Sequence, residues 1–204
     1  MMKLKERIKY IFFDADDTLW ENERYFRAAE EKFAALLSEY TSPEGLQQTL
    51  WQKQEDNIPL YGYGSKTYMI GMADAAMELC GGTLPEHIYY GIKDIIKNLA
   101  FHELEIIDGV VETLEALQGR YTLIVATKGD LPEQMGKFRT SGLAKYFHHC
   151  EVMENKDEKN WLELIAKHDI KPDELLMVGN SVKSDIAPVV GIGGWAIHTP
   201  HDIV

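Results

Sequence analysis

An apolar run that stops on a cluster of acids constrains this chain more than any other stretch: Tyr10-Ile-Phe-Phe-Asp14-Ala-Asp16-Asp17-Thr18-Leu-Trp20. Residues Ile8 to Phe13 are mostly apolar, the composition of a strand covered on both faces within a parallel sheet. In such sheets ligands bind beyond the carboxyl ends of the strands, which is where Asp14 and Asp16 fall. Like charges crowded on one loop repel unless a cation offsets them or one of them holds a proton, and hard carboxylate oxygens suit Mg²⁺. The plain alternative is a strand followed by an acidic turn, with Asp17 capping a helix and the other two carboxylates solvated.

Charge narrows the field of partners. Lys and Arg number 21 against 33 Asp and Glu among 204 residues, a formal charge of −12, which argues against nucleic acid as a partner. Cys80 and Cys150 are far apart and lack metal-ligand spacing, so free thiols in a reducing compartment are expected. The charged N-terminal segment leads into only a short apolar stretch, and no long apolar run occurs elsewhere. A soluble cytoplasmic protein with no membrane partner is expected.

After Trp20 the apolar period changes from strand to helix. Phe26, Ala29, Phe33, Leu36, Leu37 and Tyr40 share a helical face, Ser42-Pro43-Glu44 starts a further helix, and Thr67–Leu79 and Pro85–Leu99 add two more. Strand patterns return only in the second half, at Tyr121–Ala126, near His148–Met153, at Leu175–Val178 and at Gly194–His198, each separated by helix. The expectation is an α/β fold: a doubly wound, Rossmann-like parallel sheet of five strands built from residues 1–20 and 105–204, with an all-helical module at 21–104 inserted into it.

Four of the strand ends carry polar groups in a fixed order: Asp14-Ala-Asp16-Asp17-Thr18-Leu, then Thr127, then a lysine at 156 or 159, then Gly179-Asn180-Ser181 through Asp185. In this combination, over essentially the whole chain, the sequence resembles the haloacid dehalogenase (HAD) superfamily in its phosphatase branch. The helical insert is similar to that family's cap domain, a unit that closes over the strand tips and selects the leaving group.

The resemblance implies Mg²⁺-dependent hydrolysis of a small phosphate monoester through an aspartyl-phosphate. Asp14 is implied as nucleophile and Asp16 as general acid and base, while Thr127, Thr18 and the motif lysine face phosphate or substrate; Lys128, next after Thr127, either touches substrate or is a solvated loop residue. Asp14, Asp16 through its backbone carbonyl, Asn180 and Asp185 are the implied metal contacts. Two features depart from the family pattern. Asn180 stands where an acid is common, which leaves open whether Asn180 or Asp185 is the direct ligand. Lys156-Asp157 replaces the usual Lys-Pro and favours Lys156 over Lys159. The expected partner is a small phosphorylated metabolite, with nucleotidase-like or phosphoglycolate-phosphatase-like action, for a monomer or homodimer. A phosphomutase, or a catalytically weak phosphate-binding protein, is the alternative. The histidines, including His198 and His201, show no metal pattern and read as structural or surface residues.

Overall fold

The computed structural model of the chain describes residues 4–201. In order, the elements begin with α1 (Leu4–Arg7), β1 (Tyr10–Phe13), α2 (Glu23–Leu36), α3 (Pro43–Tyr61), α4 (Ser65–Leu79) and α5 (Glu86–Ala100). They continue with α6 (Val110–Leu117), β2 (Thr122–Lys128), α7 (Leu131–Thr140), β3 (His149–Met153), α8 (Glu158–Lys167), β4 (Leu175–Gly179), α9 (Ala187–Gly191) and β5 (Trp195–His198). Two compact units result, divided after Glu23 and again before Leu104.

The first unit is the α/β one. Its five strands lie in the order β3-β2-β1-β4-β5, and every pairing is parallel, with Phe13 opposite Val125 on one side and Val178 on the other. Alternate residues serve opposite faces. Ile11, Phe13, Leu123 and Val125 pack with Trp20, Leu114 and Tyr146 on one face. Phe12, Ile124, Ala126 and Met177 pack with Trp161, Ile165 and Val189 on the other. Burial on both faces is the reason the central strands are almost uninterruptedly apolar. From β1 the chain winds outward through β2 to β3 on one side and later through β4 to β5 on the other. The reversal opens a crevice at the carboxyl end of β1, the usual ligand position in such a sheet.

Strand β2 runs beyond the expected Ala126, because Thr127 and Lys128 continue the ladder opposite Val152 and Met153. Helix α8 begins at Glu158, since the Asp157 carboxylate accepts from Asn160 N at 2.9 Å and caps its first turn.

The second unit, residues 24–103, is helical. Phe33, Leu37, Met72, Ile88 and Ile92 form its core, each with at most 1% of its surface exposed. Helix α3 has a complete start: Ser42 Oγ accepts from Gly45 N at 3.2 Å and Pro43 occupies the first turn, where its missing N–H costs nothing. Helix α2 stops at Leu36, short of the expected Tyr40, because the chain tightens to three-residue bonds (Tyr40 N to Leu37 O, 2.9 Å) as it reverses into that cap. No helix among the described residues is long and apolar enough to cross a membrane.

Candidate active site

The end of β1 is tied down before any side chain is considered. Asp14 N donates to Val178 O at 2.9 Å, and the chain then turns tightly, with Leu19 N donating to Ala15 O at 2.8 Å. Asp17 takes a positive φ of 62° within this turn. Its carboxylate accepts from the amides of Asn22 at 2.8 Å and Glu23 at 2.9 Å, so it does cap the helix start. The other two acids are not solvated turn residues. Asp14 is buried at 7% exposure, and the partly covered Asp16 is held by three donors.

Asp14 faces the β4 side. One carboxylate oxygen is paired with the Lys156 ammonium and the other accepts from Thr18 Oγ1 at 3.2 Å. The same ammonium donates to Asp185 Oδ1 at 2.8 Å. Asp185 comes from a wide π-helical turn, Val182–Ile186, in which Ser181 O receives both Asp185 N and Ile186 N, at 2.8 and 3.3 Å. That turn brings the acid back against Gly179, so close that a Cβ there would collide with its carboxylate. Ser181 N closes the loop on Asp185 Oδ2 at 2.9 Å. Asn180 is bound to Thr18 twice: its N–H donates to Oγ1 at 3.2 Å and its Oδ1 lies 3.4 Å from the same hydroxyl.

Lys156 reaches the acids because it sits just ahead of the Asp157 cap, with its own N–H on Asn155 Oδ1 at 2.9 Å. Lys159, the second residue of α8, points to solvent with an 82% exposed side chain, 3.9 Å from Glu163. Geometry therefore brings Lys156 to Asp14 and leaves Lys159 outside.

Asp16 faces the other way, toward α7. Trp20 Nε1 and Lys137 Nζ donate to Oδ1 at 2.8 and 3.0 Å, and Gln134 Nε2 donates to Oδ2 at 3.0 Å. Lys137 also donates to Asn22 Oδ1 at 2.9 Å, and Gln134 Nε2 lies 2.6 Å from Thr127 Oγ1. Thr127 and Lys128 close β2, the threonine buried and the lysine half-buried. Gln134 and Lys137 are the residues that sequence reasoning missed. A signal was present: Asp130 caps α7 through Glu133 N, which places positions 134 and 137 one turn apart on one face just beyond the tip of β2.

Electrostatics drives the two acids apart. Burial pushes the Asp14 carboxyl up to about 6, with the Asp185 charge adding to the rise and Lys156 opposing it. Burial would raise Asp16 as well, but the Lys137 ammonium and the N–H donors of Lys137, Trp20 and Gln134 outweigh it and hold Asp16 below its usual range. Lys156 is buried too, and Asp14 and Asp185 overcome that burial and keep its pKa above the ordinary value.

The β4 side suits a hard divalent cation. Two buried carboxylates share one ammonium, leaving negative charge over, and the single Thr18 proton cannot satisfy both Asp14 Oδ2 and Asn180 Oδ1. Oxygen donors in excess of hydrogens are what Mg²⁺ takes. A separate group, Asp17, Glu21 and His201, brings its ligand atoms within 4.8 Å of one another. There His201 Nε2 lies 3.3 Å from Glu21, company that the sequence did not reveal.

The sequence model of the haloacid dehalogenase-like hydrolases matches residues 8–192. The chain belongs to that family. A haloacid dehalogenase-like family hydrolase from Xanthomonas campestris is 36% identical, with a TM-score of 0.91 over 96% of this chain and 82% of the other. A 2-haloacid dehalogenase from Pseudomonas syringae pv. Tomato shares the HAD fold at 23% identity and a TM-score of 0.65, over 94% of this chain and 86% of the other. The glyceraldehyde 3-phosphate phosphatase of Pyrococcus furiosus is 24% identical over 199 residues, covering 92% of this chain and 78% of its own length.

Proposed function

We propose that this HAD hydrolase is a Mg²⁺-dependent phosphatase of small phosphate monoesters. The observation that carries the reading is the pair of acids at the end of β1, two residues apart, Asp14 held by Lys156 and Thr18 on the β4 side and Asp16 by Lys137, Gln134 and Trp20 on the α7 side. Acids separated in this way are suited to different chemical roles. The Pyrococcus relative supports the substrate class.

In the proposed reaction an Asp14 oxygen attacks phosphorus, and the bond from phosphorus to the ester oxygen breaks as the aspartyl-phosphate forms. Asp16 hands a proton to the departing alkoxide. Its surroundings hold it ionised at rest, so that proton arrives with the substrate, whose negative charge raises the proton affinity of a nearby carboxylate. Water then attacks phosphorus, Asp16 takes its proton, and the bond from Asp14 to phosphorus breaks to release inorganic phosphate. Thr127 and Lys156 donate to phosphoryl oxygens, with Lys128 next after Thr127 as a substrate contact. Asp14, the Asp16 carbonyl, Asn180 and Asp185 are the residues to hold Mg²⁺. When bound, the ion supplies charge that offsets the repulsion between carboxylate and phosphate. The helical unit, residues 24–103, is assigned the role of a cap that selects the leaving group.

A halide needs no acid on departure, so the well-held Asp16 favours a phosphate ester over a haloacid. The test is phosphate release from sugar phosphates, nucleoside monophosphates, phosphoglycolate, glyceraldehyde 3-phosphate and p-nitrophenyl phosphate, with Mg²⁺ and with EDTA. Mg²⁺-dependent release that disappears in Asp14→Asn is expected. Phosphate moved to another hydroxyl instead of water would make the enzyme a mutase, and no release from any ester would end the phosphatase reading.

A further inference from the structure

Gln134 is buried at 3% exposure, beside the reacting groups, and the reaction above gives it no part. An amide is costly to bury unless its hydrogens are bonded. Here both have acceptors, because Nε2 reaches Asp16 Oδ2 at 3.0 Å and Thr127 Oγ1 at 2.6 Å. The orientation is forced: an ionised carboxylate only accepts, so the nitrogen and not the oxygen of the amide must face Asp16. One hydrogen then goes to each partner. The fold makes room for this side chain at Gly129, whose φ is +145° and where an added Cβ would sit 3.2 Å from Gln134 Cγ.

A hydroxyl has one proton and two lone pairs. Receiving a hydrogen from Gln134 uses one lone pair of Thr127 Oγ1 and leaves its proton for some other acceptor. We propose that Gln134 is a positioning residue that sets the polarity of the Thr127 hydroxyl. It keeps the Thr127 proton off Asp16 and available to a phosphoryl oxygen. The inference rests on reading the site as one for phosphoryl transfer. Without the amide, Asp16 competes for that proton whenever it is ionised, as it is once it has protonated the leaving group. Thr127 then turns lone pairs toward the phosphoryl oxygens, and an attraction becomes a repulsion.

The test is a double-mutant cycle of Gln134→Leu and Thr127→Val. It is read on orthovanadate affinity by calorimetry in the presence of Mg²⁺, and on kcat/KM for p-nitrophenyl phosphate. Gln134→Leu alone is expected to weaken vanadate binding and lower kcat/KM by about 10- to 100-fold, the scale of a lost hydrogen bond to a charged group. On the Thr127→Val background the same change should cost less than about twofold, because no hydroxyl is left to orient. An equal loss on both backgrounds, or unchanged vanadate affinity in Gln134→Leu, overturns the proposal and reduces the amide to packing or to support of Asp16. Should the leucine variant fail to fold, Gln134→Met takes its place in the cycle. An unaltered protein that binds vanadate but turns over no ester would overturn the phosphatase reading, while the cycle read on vanadate affinity would still judge Gln134.

Discussion

Asp14 and Asp16 leave the same strand, and each is met by a buried lysine, yet the two sides of the site are balanced differently. On the β4 side one ammonium, that of Lys156, serves two carboxylates, Asp14 and Asp185. On the α7 side the Lys137 ammonium donates to Asp16 at 3.0 Å and keeps Glu133 at the longer distance of 3.9 Å, while Trp20 and Gln134 add neutral donors to Asp16. On the first side two buried carboxylates divide one cation at hydrogen-bond distance, whereas on the second Asp16 has the nearer hold on its cation and two neutral donors besides. The proton affinities follow: Asp14 is pushed up to about 6 and Asp16 is held low. Residue type does not decide the behaviour of an acid. The ratio of donors to charges around it does.

Removing each lysine is the sharpest way to break this comparison. Lys156→Met strands two buried carboxylates and should destabilise the fold by about 3–5 kcal/mol in denaturant titrations. Lys137→Met leaves Asp16 two of its donors and should cost about 1–3 kcal/mol. Equal losses would mean that the two sides are balanced alike after all.

Next in size is the effect of Asp14 itself. Its folded pKa lies above the ordinary carboxylate value of 3.8, at about 6, so the folded state binds the proton more tightly than the unfolded chain. Stability from this group is complete below about pH 4 and is lost as pH rises through about 6. Asp14→Asn cannot ionise, and in EDTA at pH 7.5 it should be more stable than the unaltered protein by up to about 3 kcal/mol. That gain should shrink to nothing by about pH 4. A destabilised Asn variant at pH 7.5 would show that Lys156 over-compensates the buried charge.

The smallest effect belongs to Lys159→Ala, on an exposed side chain whose salt-bridge partner is 3.9 Å away. A change below about 0.5 kcal/mol is expected, with phosphate release unaltered. Loss of activity there would move the lysine role away from Lys156.

The sheet was legible because burial on both faces leaves strands such as Leu123–Ala126 and Leu175–Met177 little choice but apolar residues. The helical unit was legible for a related reason: Phe33, Leu37, Ile88 and Ile92 recur at the helical period. Boundaries were read less well, as at Leu36, where the chain's reversal into the next cap ends a helix independently of its apolar face. In the site, the acids at the end of β1 announced themselves by following a buried strand. Gln134 and Lys137 did not, since a polar pair on a short helix ordinarily faces water, and only the fold shows that this face turns inward. The family resemblance left two lysines in contention. The Asp157 cap separates them physically, because it places one before the helix and the other on its outer surface.

The wide turn at Val182–Ile186 bears on how this site tolerates change. An ordinary helical turn bonds each amide four residues back, whereas here the Ser181 carbonyl also reaches the fifth, Ile186. Taking one residue out of 182–184 would let the segment relax to regular α geometry. The acid would then move about 100° around the helix axis. Asp185 would keep its chemistry and lose its aim, swinging away from Lys156 and Gly179. Here the spacing between Ser181 and the acid is itself part of the design: a one-residue deletion that alters no acidic side chain would disarm the β4 side as thoroughly as removing the carboxylate.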